Sequence, residues 1–425
     1  MEGTEDPLWR ELSDWRDSGA GPDFPYDSVV DRLRDVGKHF LPPPLLEILA
    51  EFRESLTGRD SHLALFLDVL LDKYDGRYDY PSYTALPLLR RLVPEGPGNR
   101  QTHRHRRDRT VLLLLADLVS FEGLALDGTP AGPREMPPAA ALVDKRLRLA
   151  VRVMEPAALR VLDGAVDPVS VASTPGRTPA RKLAEGVLAT VTAGERLCLR
   201  TSMQPVYVLH DEYLFLRVLQ SFEATFTFMA RTLRTAVQLL RDRHPGDAAT
   251  LIASVSDVLR ESLPLFSLLA TMQPGSFREF RKYTEGASAI QSEGYKTFES
   301  FCSTPARARL DSPAFTSVPN VREAVLDGRD TVQGSWEDVI AGGRLSEPDA
   351  AAVRAAVRQL EAVHQRWKQT HYRLAVRMIG TRTGTGSTEG VPYLKSVIAN
   401  RLFPGTGHGP AAAPQPALEQ QPAVG

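Results

Sequence analysis

Apolar residues return every three or four positions along most of this chain. Between Leu45 and Leu71 the stretches LLEILAEFRESL and HLALFLDVLL carry that period, and the prolines at 42 to 44 can open a helix that they could not continue. Longer periodic runs cover roughly 211–242, 247–271, 289–302 and 346–379, while strand-like alternation and hairpin turns are almost missing. The pattern predicts an all-α fold, a helical bundle. Three polar stretches punctuate it. PEGPGNRQTHRHRRDR (94–109) reads as a loop with a basic cluster, GTPAGPREMPP (128–138) as a second connection, and DPVSVASTPGRTPARK (167–182) as a third. Three prolines with Ser, Thr and Gly cannot continue a helix, so the third stretch is read as a domain boundary. It divides the chain into a helical N-terminal extension (1–182), a main helical unit (183–404) and a Gly/Pro/Ala/Gln-rich tail (405–425) expected to be disordered.

The last long run has the sharpest chemistry. Val353, Val357, Leu360, His364, Trp367, His371, Leu374 and Met378 are spaced alternately four and three apart, which places them on one helical stripe. Such a stripe packs inward, so its imidazoles need partners for their ring nitrogens. A buried histidine bonded to a carboxylate or carbonyl meets that need as well as a metal ligand does, and periodicity does not choose between His364 and His371.

Composition narrows the classes. The 425 residues carry 51 basic and 52 acidic groups, so no global field favours nucleic acid or an anionic membrane. The acidic start MEGTEDPLWRELSDW lacks a signal core and no window of eighteen apolar residues occurs, which predicts a soluble, cytoplasmic protein without nucleic-acid or membrane partners. Cys198 and Cys302 are too few for a disulfide framework or a zinc cluster. GTGSTEG follows a helix and does not fit a P-loop, and the HRHRR cluster at 103–107 reads as a solvated loop.

Three segments carry a more specific signal. WKQTHYRLAVRMIGTRTGTGSTEGVPYLK, from Trp367 to Lys395, resembles the WxxxH…RMIGTRxGTGGxxGYxYLK signature of the tryptophan 2,3-dioxygenase family. HDEYLF (210–215) resembles that family's HDExLF, and LLATMQPGSFREFRKYTEGASAIQS (268–292) its LxTxxPxxYxxFRxxLxxASGFQS. The resemblance covers about half of the chain, roughly Leu197 to Pro404, with the motifs in order.

That resemblance implies a haem enzyme. His371 would be the axial ligand of the iron, with Trp367 and Phe266 beside the cofactor. Ala375 leaves no HxxxC thiol, so non-covalent haem b is implied. Arg281 would clamp a substrate carboxylate, since a guanidinium can bond both oxygens. Thr385 and Ser288 would contact the amino-acid head group, and Phe215 would stack on the ring. Leu219 stands where the family has a distal histidine, Phe277 where it has a tyrosine, and Ala289 where it has a glycine. The chemistry implied is insertion of both atoms of O2 across the indole C2–C3 bond of tryptophan, giving N-formylkynurenine, the opening step of tryptophan catabolism through the kynurenine pathway. Burying an indole N–H against Leu219 without an acceptor costs about 1–3 kcal/mol, so a divergent oxygenase or hydroxylase of another aromatic amino acid in secondary metabolism is the alternative, as is a non-catalytic haem-binding protein. Family members are tetramers whose neighbours help to enclose the pocket, so a homo-oligomer, tetramer or dimer, is expected.

Overall fold

The computed structural model describes residues 6–19, 23–56, 61–92, 100–129, 132–162, 177–343, 346–380 and 390–404. Among them the fold is all-α, and the only β-type pairing is a single parallel bridge, Glu135 with Leu209, just before the His210–Arg241 helix. No described helix is long and apolar enough to cross a membrane.

The His210–Arg241 helix is the axis of the molecule. It is buried on nearly every side because the Arg100–Leu126, Pro245–Ser262 and Glu293–Cys302 helices pack around it. A helix so enclosed must neutralise its polar side chains internally. Arg217 donates to Asp117 and to the carbonyl of Leu199, and Asp211 accepts from Arg146, which also pairs with Glu122.

The run predicted over 346–379 forms one helix, Glu347–Ile379, whereas the run over 247–271 is divided at Pro264 into Pro245–Ser262 and Pro264–Leu269, and that over 289–302 into a 3₁₀ turn, Ala289–Gln291, and Glu293–Cys302. In the first third, Pro43–Ser55 and His62–Leu70 are helical, the first opening at its own proline. The Glu347–Ile379 helix starts on a Ser346 cap, whose hydroxyl accepts from the Asp349 N–H at 3.2 Å, with Glu347 and Asp349 in the first turn. It stops at Gly380, whose φ of +60° lies where only glycine is at ease.

One expectation is corrected. The stretch 94–109 is not all loop, because a helix starts at Arg100 and runs to Leu126. The basic cluster is helical because partners take up its charge. Arg104 binds both oxygens of Glu261, and the buried Arg107 pairs with Asp108, which Arg160 also bonds. No group of three or more His, Cys, Asp or Glu side chains suited to a metal ion forms among the described residues, His103 and His105 included.

One apolar cluster runs through residues on both sides of the boundary expected near 182. It joins Val111–Leu118 and Val143–Ala158 to the His210–Arg241, Pro245–Ser262 and Glu347–Ile379 helices. A second cluster gathers Leu8 to Leu71 with Ala85 and Leu88. Residues 163–176 and the tail 405–425 lie outside the described residues.

Candidate functional site

A cavity of about 270 Å³ opens between the His210–Arg241 helix and the last turns of the Glu347–Ile379 helix. Phe215, Leu219, Phe222 and Phe226 project into it from the first at helical spacing, and Trp367, His371, Leu374 and Met378 from the second. Phe266, Phe277, Arg281, Ser288 and Ala289 complete the wall. The structure thus brings together all the site residues expected from sequence except Thr385, which lies outside the described residues.

The two histidines of the stripe meet different surroundings. His364 is 3% exposed and its Nε2 lies 2.7 Å from the Tyr295 hydroxyl. Burial, then Lys368, Arg309 and Lys296, hold it neutral, well below an ordinary imidazole. His371 forms no side-chain hydrogen bond with another described residue. Phe266 lies almost parallel to its ring, 5.7 Å away at 20°, and the Trp367 centroid is 5.4 Å away. Burial alone pushes the His371 imidazole down to about 4, so it is neutral and keeps a lone pair at neutral pH. A neutral imidazole with no side-chain hydrogen bond among the described residues, set in an apolar aromatic wall, fits the donor that a haem iron takes; at His364 the Nε2 is engaged by Tyr295 and only Nδ1 is left without a partner among those residues.

Arg281 ends the Pro274–Phe280 helix and begins a 3₁₀ turn, where its carbonyl accepts from the Thr284 hydroxyl at 2.9 Å. Ser288 caps the next 3₁₀ turn, and Gln291 returns a bond to the Ser288 N–H while also accepting from the Tyr80 N–H at 2.9 Å. The rings of Phe215 and Phe277 meet edge to face at 5.5 Å. Leu219, only 9% exposed, contributes no polar atom.

Sequence reasoning missed two parts of this cavity. Tyr80 and Tyr83 line it from the first third of the same chain, and the Tyr80 hydroxyl donates to Glu223 at 3.1 Å. Glu223 could have been noticed, since it stands one turn beyond Leu219 on the same helical face. The other part is a charged end built from Lys296, Glu299, Arg309 and Lys368. Arg309 binds both oxygens of Glu299 at 3.0 Å and the Tyr393 hydroxyl at 3.2 Å. Lys368 donates to the carbonyls of Val397 and Asn400, and Glu361 accepts from the Leu402 and Phe403 N–H groups, so the returning segment 390–404 is pinned across the helix. Only the Lys296–Glu299 spacing was visible in sequence, and it reads as an ordinary surface i,i+3 pair.

The chain is 27% identical over 252 residues to the tryptophan 2,3-dioxygenase of Bacillus cereus, a match that spans 50% of this chain and 90% of that enzyme. The chain is related to the tryptophan 2,3-dioxygenase family. The Polaromonas naphthalenivorans enzyme of the same name is 26% identical over 236 residues, covering 48% and 84% of the two chains, and the Anaeromyxobacter enzyme 25% over 248, covering 51% and 94%. No family model matches the chain.

Proposed function

We propose that this protein is a haem-dependent oxygenase of aromatic amino acids, with tryptophan 2,3-dioxygenase-type cleavage of the indole ring as its reaction. The observation that carries the reading is His371: a neutral imidazole on a cavity wall, with no other side-chain hydrogen bond among the described residues and Arg281 lining the same cavity. Relatives named tryptophan 2,3-dioxygenase support it. His371 would hold the iron of a haem b, with Phe266 and Trp367 packed against the imidazole, and the cofactor, when bound, supplies the activation of O2.

The chain's own residues then bind and orient. Arg281 takes the substrate carboxylate through two parallel bonds, a geometry lysine cannot reproduce. Ser288 and Thr385 contact the head group. Phe215 and Phe277 hold the ring flat against an apolar wall, excluding water and fixing its approach. Leu219 excludes water without offering a bond. The helices before residue 182 wall the same core, so we assign them a structural part in this unit. By the same reading the protein works in the cytoplasm as a homo-oligomer.

Apolar side chains at Leu219, Phe277 and Ala289, all on the cavity wall, favour a second reading in which another aromatic amino acid is the substrate. Reduced, haem-loaded protein incubated with tryptophan and O2 separates the two. Formation of N-formylkynurenine supports the first; turnover of tyrosine or phenylalanine alone supports the second; no haem spectrum at all removes both.

A further inference from the structure

Two carboxylates face the cavity. Glu299 is fully engaged by Arg309 and lies near Lys296. Glu223 forms no ion pair with a described residue, and its partners are hydroxyls: Tyr80, which donates to Oε1 at 3.1 Å, and Ser292. It stands one turn beyond Leu219, so its carboxylate is offset by about 6 Å along the same helical face. Space for it is made by Gly294, since a Cβ there would come within 2.9 Å of Oε2. The cavity therefore has a carboxylate acceptor, held by two hydroxyls and by no ion pair among the described residues, close to the position where Leu219 has none, and both line one wall.

Resting on the oxygenase reading above, we propose that Glu223, held by the Tyr80 hydroxyl, is the hydrogen-bond acceptor this cavity offers to a donor on the ring of its amino-acid ligand, an indole N–H or a phenol O–H. The structure brings this residue pair together from distant parts of the chain, and it gives the aromatic pocket a polar contact specific for rings that carry a donor. An ionised carboxylate accepts more strongly than the neutral acid. Burial raises the Glu223 carboxyl to about 7, while Ser292 and Tyr80 act to lower it. The other charged groups acting on it are Arg90, Glu293 and Lys296. Affinity for a ring donor therefore climbs as pH rises through neutrality.

The test uses haem-loaded protein and the ligand-induced shift of the haem absorption band, with L-tryptophan and 1-methyltryptophan as probes between about pH 5.5 and 8.5. Wild-type affinity for L-tryptophan should increase about tenfold across that range, and 1-methyltryptophan, with the same head group but no ring N–H, should bind with a flat profile. Glu223→Gln should flatten the tryptophan profile. Tyr80→Phe should move its midpoint to higher pH, because the lost donor no longer stabilises the carboxylate. Infrared difference spectra of the protein without ligand should contain a protonated-carboxyl band that titrates near neutrality and is missing from Glu223→Gln. A wild-type profile that is already flat, or one that Glu223→Gln leaves unchanged while haem loading and turnover are normal, overturns this inference alone. Failure of the wild type to load haem or to respond to tryptophan at any pH overturns the oxygenase reading and this inference together.

Discussion

His364 and His371 are seven residues apart on one helix, share its apolar stripe, and have opposite local chemistry. Around His364 the cavity is charged: Lys296, Glu299, Arg309 and Lys368 lie close, and Tyr295 holds the ring. Around His371 it is aromatic, with Phe266 and Trp367 against the imidazole and no side-chain hydrogen bond to a described residue. Burial alone therefore does not make a ligand. What distinguishes the two is whether a neighbouring element has engaged a ring nitrogen: at His364 the Glu293–Cys302 helix engages Nε2 through Tyr295 and leaves only Nδ1 without a partner among the described residues.

The sharpest way to break this comparison is to remove each imidazole in turn. His371→Ala should cut haem retention by more than about a hundredfold, beyond what loss of an outer partner does, whereas His364→Phe should leave the haem absorption spectrum in place. Equal loss in both variants would erase the distinction. The next largest effect belongs to the charged end. Glu299→Ala leaves the largely buried Arg309 without its carboxylate, with only the Tyr393 hydroxyl as hydrogen-bond partner among the described residues, and should lower unfolding stability by about 3 kcal/mol in denaturant titration. A loss under about 1 kcal/mol would mean that water already screens the pair.

At the aromatic end, Arg281→Lys should raise the KM for an amino-acid substrate by one to two decades, roughly 1.5–3 kcal/mol for bonds to a charged group, with a smaller change in kcat. The smallest effect is electrostatic. Burial lowers Lys296 and Lys368 to about 8, so between about 8 and their unfolded value the unfolded chain binds more protons than the folded one. Their contribution thus becomes more favourable as pH rises through that window and is least favourable below it. Lys296→Met should flatten this alkaline rise and add about 1 kcal/mol at neutral pH, read as a shift in the denaturant midpoint.

Much of the helical framework was legible because burial imposes a period. The stripe from Val353 to Met378 needed no neighbour to be seen. The basic run before Asp108 was misread as loop because its helix depends on Glu261 and Arg160, distant residues that no local window contains. Arg281, Phe215 and His371 were findable from motif likeness, but their shared cavity was not, since they come from three separate elements. Tyr80 and Glu223 were missed for the same reason: one lies far upstream, and the other looks like any glutamate on a helix.

The linear order of residues by itself determined that this chain is helical, which face of its final long helix turns inward, and that two histidines share that face, because periodicity is a property of the local backbone. Only the tertiary packing decided which histidine has a ring nitrogen engaged by a neighbour, since Tyr295 reaches one ring and Phe266 covers the other. Hydrogen-bond satisfaction is a relation between elements, and it is set where they meet.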